Sequence, residues 1–308
     1  MAAGSGDVSM RRFGLAMVHL ATAGILLLSG CRKIDDSKAH SARTTAPVVP
    51  SHGLPWQVRA SVHYRIESLV DSARTQAVLD RVETLHAAFY QAFALPESRH
   101  APLLNLRLYR DRHEMHAAES MPDWAEGIYQ DGWCIQYLRP REANPWHWTI
   151  HEATHQLLAE RAQLALPRWL NEGLACLFSG SRLDSTGLHL GTVDPESYPA
   201  WWLKDYRPMG NRSADLKNGK LQSLETIVRG GGVEPENGDL NLAYLSWWTV
   251  TRFLWSRDPQ RFLAWVKLDR TPEGLERIVG PLKELEETYA RSVAGLTDSV
   301  TASADGKR

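Results

Sequence analysis

The stretch Thr149–Phe178 reads TIHEATHQLLAERAQLALPRWLNEGLACLF. Residues four apart lie on nearly the same side of an α-helix, so a helix here presents His151 and His155 to one ion, with Glu152 beside them. A catalytic zinc takes three protein ligands and keeps one position open. Glu172 lies on a second predicted helix after a proline turn, and we predict it as the third ligand.

Two interpretations of the paired histidines compete. An HExxH motif can arise by chance on a solvated helix, where its histidines are incidental. The context favours a half-buried helix, because Asn144 and Pro145 suit the N-cap and the first helical position. Apolar residues then recur at helical spacing; they are Ile150, Ala153, Leu157 and Leu158. Imidazoles on a half-buried element need polar partners, and this favours a metal site.

HEATH followed by WLNEGLA resembles the gluzincin metallopeptidases, in particular the bacterial peptidase-MA-like group with its thermolysin-like catalytic core. The resemblance implies one zinc ion held by His151, His155 and Glu172, with Glu152 as general base and a peptide or protein as substrate. The link of 16 residues between His155 and Glu172 is a little shorter than in thermolysin. Where thermolysin has an Asp that orients a zinc-bound histidine, this sequence has Cys176, so we expect the orienting group to come from elsewhere.

The resemblance also implies a donor for the oxyanion that forms during hydrolysis. The related families place a tyrosine on a helix downstream of the third ligand, and Tyr244 matches that position. We therefore predict Tyr244 as a catalytic residue; a core aromatic residue in a tryptophan-rich helix is the alternative. His147 and His189 are weaker candidates for the same role.

Two other classes of function stay open. The domain could be a catalytically inactive, peptidase-like lipoprotein that acts as a binding module, although binding alone does not need an intact Glu152. The metal site could also be structural, but structural zinc sites are usually closed by four Cys or His ligands. The sequence offers no apparent fourth ligand.

Residues 1–30 resemble a bacterial lipoprotein signal peptide. Two arginines precede an apolar run that is too short for a membrane span, and Leu-Ser-Gly-Cys ending at Cys31 resembles the lipobox. This implies a lipid on Cys31 that anchors the protein to a membrane of the bacterial cell envelope, facing the periplasm or the exterior. An ordinary signal peptide and an uncleaved anchor are the alternatives. The polar residues 31–55 predict a flexible tether.

The order of predicted elements gives an α+β fold: a small mixed β-sheet with the HExxH helix and the Glu helix, followed by a helical C-terminal part. We predict a catalytic domain over 56–295, with an α/β part (56–180) that holds the zinc site and a mainly helical part (181–295). Residues 296–308 are predicted to be a disordered tail. The chain has 308 residues and a formal net charge of −1, which predicts no special affinity for nucleic acid.

Periodicity and turn signals predict the individual elements. Strands are expected over 58–66 and 104–108 and in a hairpin around Asp131-Gly132; one of its strands either lines the cleft as an edge that can bind an extended peptide or is internal. The segment 182–241 is expected to be irregular, shaping a pocket or simply packing, with a short helix around 221–229. Further helices are expected over 72–93, after Asp111, over 242–256, and after Asp258, Thr271 and Gly280.

Two cysteines remain once Cys31 is assigned. Cys134 and Cys176 would face an oxidising compartment, so a disulfide is one outcome. The sequence does not show whether their Cα atoms lie close enough to be bridged. We predict a buried pair of free thiols.

Overall fold

A five-stranded mixed sheet begins the described part of the chain. The computed structural model describes residues 56–98, 100–232 and 238–305. The three central strands of the sheet are parallel, and each outer strand joins as an antiparallel hairpin. In spatial order the strands are β1 (Gln57–Ala60), β2 (Tyr64–Ser68), β3 (Leu104–Tyr109), β5 (Trp133–Tyr137) and β4 (Gly127–Gln130).

The single strand predicted over 58–66 is wrong, because the chain reverses within it to form β1 and β2. Ser61 N–H donates to the Tyr64 carbonyl at 2.8 Å and closes the turn. Glu83 then holds the turn from a neighbouring helix, since it accepts from the backbone N–H of His63 at 2.8 Å. The apolar alternation continues through this turn, so the pattern alone does not reveal it.

Two helices pack against the sheet and against each other, α1 (Ser72–Phe93) and α3 (His147–Glu160). The bounds of α1 are as predicted. The side-chain amide of Gln156 ties α3 to the sheet by donating to the carbonyls of Asn105 and Gly132, at 3.0 and 3.1 Å. The HExxH motif, His151 to His155, therefore lies on a helix that is fixed against the ends of two strands.

The helix α3 begins at His147, two residues later than predicted. Asn144 does accept from the backbone N–H of Trp146, but its amide also donates to Asp194 and Ser197, at 2.8 and 2.7 Å. Asn144 is thus part of a loop contact rather than the N-cap. A tertiary contact replaces the local capping that the sequence indicates.

The hairpin at Asp131-Gly132 is confirmed. Both residues have positive φ, 51° and 80°, which is the conformation that a tight two-residue hairpin turn requires. Strand β4 ends the spatial order of the five-stranded sheet. It is therefore an edge strand, with one side not paired to another strand of this sheet.

The helix α4 (Arg168–Ser179) packs between α3 and α8 (Leu240–Arg257). Its approach to α8 is very close at Gly173, where a Cβ atom would lie 2.0 Å from Thr251 Oγ1 and 2.7 Å from the Trp247 carbonyl oxygen. The glycine after Glu172 therefore lets α4 lie directly against α8. This contact sets the position from which Glu172 reaches α3.

The segment expected to be irregular holds more regular structure than predicted. It begins with an antiparallel hairpin that directly follows α4. Short helices follow, and the last of them coincides with the helix expected around 221–229. In chain order the elements are β6 (Ser181–Asp184), β7 (Gly187–Val193), a 3-10 turn (Ala200–Trp202), α5 (Leu203–Tyr206), α6 (Arg212–Lys217) and α7 (Leu224–Val228).

The C-terminal helices follow the predicted order. Asp258 caps α9 (Pro259–Leu268) and Thr271 caps α10 (Pro272–Val279), and the Asp111 cap of α2 (Arg112–Ala118) is likewise as predicted. The last helix, α11 (Leu282–Asp305), corrects the tail prediction, since it continues helically over residues 296–305. Leu296 and Val300 are buried in the core, which explains the extension.

The α+β class predicted from the sequence is confirmed. One hydrophobic core runs from the sheet helices through α4 and α8 to α11, so the α/β part and the helical part share it. The predicted signal peptide (1–30), the lipidated Cys31 and the tether (31–55) lie outside the described residues. No helix in the described ranges is long and apolar enough to cross a membrane.

Candidate active site

Three side chains converge between α3 and α4. His151 Nε2 lies 3.3 Å from Glu172 Oε2, His155 Nε2 lies 3.4 Å from the same oxygen, and the two Nε2 atoms are 3.1 Å apart. The side chains of His151 and His155 are only 5% and 11% exposed. The solvated-helix interpretation of the histidines is therefore wrong.

The spacing of these three atoms fits a metal site. Ligand atoms about 2.0–2.1 Å from a tetrahedral zinc lie about 3.3 Å from one another, and the three observed separations are 3.1, 3.3 and 3.4 Å. Among the described residues, the cluster holds three His, Cys, Asp or Glu ligands and no fourth. Two imidazoles and a carboxylate are also a ligand set that zinc accepts, with one position left open.

The cluster stabilises positive charge at its centre. Burial by itself lowers the pKa of His155, but the charge of Glu172, the charge of Glu152 and hydrogen bonds to Glu172 and Asn171 together outweigh burial and raise this pKa to about 9. Burial likewise opposes ionisation of Glu172, yet the two imidazoles hold its pKa well below the usual range. A bound divalent cation would compete with the proton for this place.

Glu152 lies beside the cluster at the wall of the cleft. Two cavities meet there, of about 470 Å³ and about 270 Å³; we call them the aromatic cavity and the metal-side cavity. Both are lined by His151, Glu152 and Gly127, and the metal-side cavity is also lined by His155 and Glu172. Burial, only partly opposed by the neighbouring imidazoles, raises the pKa of Glu152.

The other ring nitrogen of each histidine also has a partner. Cys176 Sγ lies 3.8 Å from His151 Nδ1, and Asn171 Oδ1 lies 3.3 Å from His155 Nδ1. The expectation that the orienting group for a histidine comes from a position other than Cys176 is thus wrong for His151. Cys134 and Cys176 are both buried free thiols, as predicted.

Tyr244 reaches the site from α8. It lines both cavities, and its ring centroid lies 6.3 Å from that of His151. Burial, with the charge of Glu172, raises the pKa of Tyr244 well above its ordinary value, so the phenol stays protonated. The weaker candidates lie elsewhere: the Nδ1 atom of buried His147 is 2.7 Å from the Asn144 carbonyl oxygen, and His189 contacts Asp184 in the β6–β7 hairpin.

The cleft residues that sequence reasoning missed are mostly aromatic. The helical spacing of Trp148, three residues before His151, could have placed it on the same face. Nothing local marks the others, because they come from separate loops and strands. The aromatic cavity takes its walls from Trp124, Tyr137, Trp148, Tyr198, Trp201 and Trp202.

A second group of potential ligands consists of His63, His86 and Glu97. The rings of His63 and His86 are stacked, with centroids 3.7 Å apart and planes 10° from parallel. A metal bound by an imidazole lies close to the ring plane, and two nearly parallel planes share no such point at bonding distance. The stacked geometry therefore disfavours a metal ion there.

A protein-family model matches residues 148–274 and is described as "Protein of unknown function (DUF1570)". The match covers less than half of the chain and includes the three clustered residues and Tyr244. That description assigns no activity. No curated protein matches the chain.

Proposed function

We propose that the protein is a zinc-dependent peptidase that hydrolyses peptide bonds with a metal-activated water. The observation that carries the proposal is the convergence of His151, His155 and Glu172 at the separations of a tetrahedral zinc site. Three ligands instead of four favour a catalytic over a structural metal site. The gluzincin-like HEATH and WLNEG motifs point to the same chemistry.

In this proposal His151, His155 and Glu172 hold the ion and Glu152 moves the protons. A zinc ion held there would supply a Lewis acid that lowers the pKa of a water molecule to about 7. Glu152 would accept a proton from the attacking water and deliver it to the leaving nitrogen as the peptide bond breaks. Its raised pKa suits both steps, because a general acid–base group works best with a pKa near the working pH.

Tyr244 is proposed to donate a hydrogen bond from its phenolic O–H to the oxyanion of the tetrahedral intermediate. Tyr244 lines both cavities and therefore lies where the two meet. The phenol remains a donor because its pKa is raised. Such a donor contributes roughly 3–4 kcal/mol to transition-state stabilisation.

The edge strand β4 is proposed to bind the substrate backbone. Gly127, Ile128 and Tyr129 of β4 line the metal-side cavity, and an extended peptide can add to an exposed strand edge by main-chain hydrogen bonds. Glu152 lines both cavities, so both offer space for peptide next to the proposed general base. A site that only binds metal has no need for such space.

The proposed place of action rests on the N-terminal sequence. With a lipid on Cys31, the peptidase would be anchored to a membrane of the bacterial cell envelope and act on peptides or proteins in the periplasm or outside the cell. The alternative is a catalytically inactive peptidase-like lipoprotein that binds its partner without cutting it.

Zinc content and hydrolysis of a peptide library, measured on the same preparation, test the proposal. We expect one zinc per chain and cleavage, with Glu152→Gln retaining zinc and losing at least about 100-fold in kcat. His155→Ala loses the zinc. His189→Ala, at a histidine outside both cavities, is the control and retains both properties. Zinc without any cleavage would favour the binding module, and full turnover by Glu152→Gln would overturn the mechanism.

A further inference from the structure

The aromatic cavity has a chemistry that neither the metal cluster nor the general base explains. It lies against His151 and Glu152, and at about 470 Å³ it can hold a large side chain. Half of its lining residues are Trp or Tyr, and the carboxylates of Glu126 and Glu142 line it besides that of Glu152. Among the described residues that line it, none is Lys or Arg.

Glu142 presents an oxygen that lacks a donor. Its Oε1 lies 3.5 Å from Arg139 Nε, whereas its Oε2 is buried and has no hydrogen-bond partner. His147 Nδ1 lies 3.7 Å from Glu142 Oε2. Burial lowers the pKa of His147 to about 3, so this imidazole is neutral and does not form an ion pair with Glu142. The Glu142 side chain as a whole is 35% exposed and lines the cavity, so this carboxylate can accept from a cationic N–H group that enters the cavity.

The rings of the wall favour the same kind of ligand. A cation is attracted to the face of an indole or phenol ring. The chain already uses this contact, since the Arg139 guanidinium lies 3.8 Å from the centroid of Tyr137 and 5.3 Å from that of Trp148. Trp148 in turn stacks on Tyr198, with centroids 5.0 Å apart.

The charges are unequal around the cavity. Three carboxylates line the cavity, those of Glu126, Glu142 and Glu152. Arg139 pairs with both Glu126 and Glu142, and Arg112 pairs with Glu126 as well, so Glu142 shares its arginine with a second carboxylate. An acidic side chain would add a further negative charge, and an apolar side chain would fit the rings but bring no donor to Glu142.

We infer that the aromatic cavity is a specificity subsite that takes a basic side chain, Arg or Lys, of the substrate residue next to the scissile bond. The inference rests on the proposed peptidase function, because only a peptidase has a scissile bond. Binding of the basic side chain in the cavity can nevertheless be measured without cleavage. Glu142 pairs with the cationic head, and the rings pack against the aliphatic stem and the charge.

Peptide binding to zinc-loaded Glu152→Gln protein tests this without requiring cleavage. The probes are acetyl-Ala-X-Ala-amides with X as Arg, norleucine, Phe or Glu, and binding is followed by tryptophan fluorescence and calorimetry. We expect the Arg peptide to bind at least about tenfold more tightly than the norleucine peptide, and the Glu peptide to bind most weakly. With unsubstituted protein, kcat/KM for cleavage should follow the same order.

Glu142→Gln should reduce the preference for Arg over norleucine to within about threefold and leave norleucine binding unchanged. Glu273→Gln, at an exposed glutamate paired with Arg229, is the matched control and should keep the preference. Equal binding of Arg and norleucine peptides, a preference that survives Glu142→Gln, or no binding of any probe would overturn the subsite.

Failure of the proposed subsite and failure of the proposed peptidase function give different results. A binding preference for Arg without cleavage by unsubstituted protein would retain the subsite and overturn the peptidase. Cleavage without preference for X would retain the peptidase and overturn the subsite.

Discussion

Cys176 Sγ lies 3.8 Å from His151 Nδ1, on the side of the ring away from Glu172. When Nε2 of a histidine binds a metal, Nδ1 carries the proton and needs an acceptor. Burial raises the pKa of Cys176 well above its ordinary value, so the neutral sulfur is the acceptor. A neutral sulfur accepts more weakly than a carboxylate, and His151 is therefore held less firmly than a histidine with a carboxylate partner.

This contact predicts that Cys176→Ala weakens zinc binding. His151 Nδ1–H loses its acceptor in a buried place, and loss of such a partner typically costs about 10-fold to 100-fold in metal affinity; for a sulfur we expect the lower end. Competition with a chromogenic chelator measures the affinity. Cys134→Ala, at the other buried cysteine, is the control and should leave zinc affinity unchanged. Equal affinities for both variants would contradict an orienting role for Cys176.

Gly127 of β4 is predicted to set the position of Glu152. A Cβ atom at Gly127 would lie 2.9 Å from Glu152 Cγ, so Gly127→Ala must displace the proposed general base. Because small misplacements of a reacting group can cost up to about 100-fold in rate, we expect kcat to fall at least about tenfold while zinc stays bound. Gly295→Ala is the control, since a Cβ atom there would meet nothing within 4 Å apart from the adjacent residues and backbone of its own helix. Normal turnover by Gly127→Ala would show that Glu152 is not held by this contact.

Tyr244→Phe separates the catalytic interpretation from the core-aromatic one. Loss of an oxyanion donor lowers kcat by about 100-fold to 1,000-fold, and KM and zinc content should change little. Tyr289→Phe provides the comparison, because Tyr289 is also buried and its hydroxyl contacts Thr249 at 2.8 Å. That variant should lose stability but not turnover. If Tyr244→Phe behaved in the same way, Tyr244 would be only a core residue.

The lowered pKa of His86 predicts that the protein loses stability in mild acid. Burial lowers the pKa of His86 from 6.5 to about 4, and its ring lies between those of His63 and Tyr90. As the pH falls from about 6.5 to about 4, the unfolded chain takes up a proton that the folded chain does not, so the free energy of unfolding decreases. The shift corresponds to roughly 3 kcal/mol at most.

Urea unfolding at pH 7.5 and pH 5 measures this effect, with His86→Gln compared against the unsubstituted protein. Both proteins keep the cluster of His151, His155 and Glu172. The difference between their losses of unfolding free energy therefore gives the contribution of His86. We expect a smaller loss of stability for His86→Gln between the two pH values. Parallel losses would mean that His86 is not the titrating group.

Local signals identified much of the fold. The helical period and the bounds of α1, the Asp131-Gly132 hairpin, and the caps at Asp111, Asp258 and Thr271 each depend on residues close in sequence. Local signals gave wrong element bounds where contacts between residues far apart in the sequence determine the structure. The chain turned between β1 and β2 because Glu83 of α1 binds the turn, and α11 continued because Leu296 and Val300 found places in the core.

The sequence by itself determined that two imidazoles share a helix face, because the four-residue spacing of His151 and His155 is a property of any α-helix. Only the tertiary structure decided what meets them. Glu172 reaches the same point because Gly173 lets α4 lie against α8. Cys176 and the walls of the aromatic cavity are brought there by packing between elements far apart in the chain, and no local pattern carries that information.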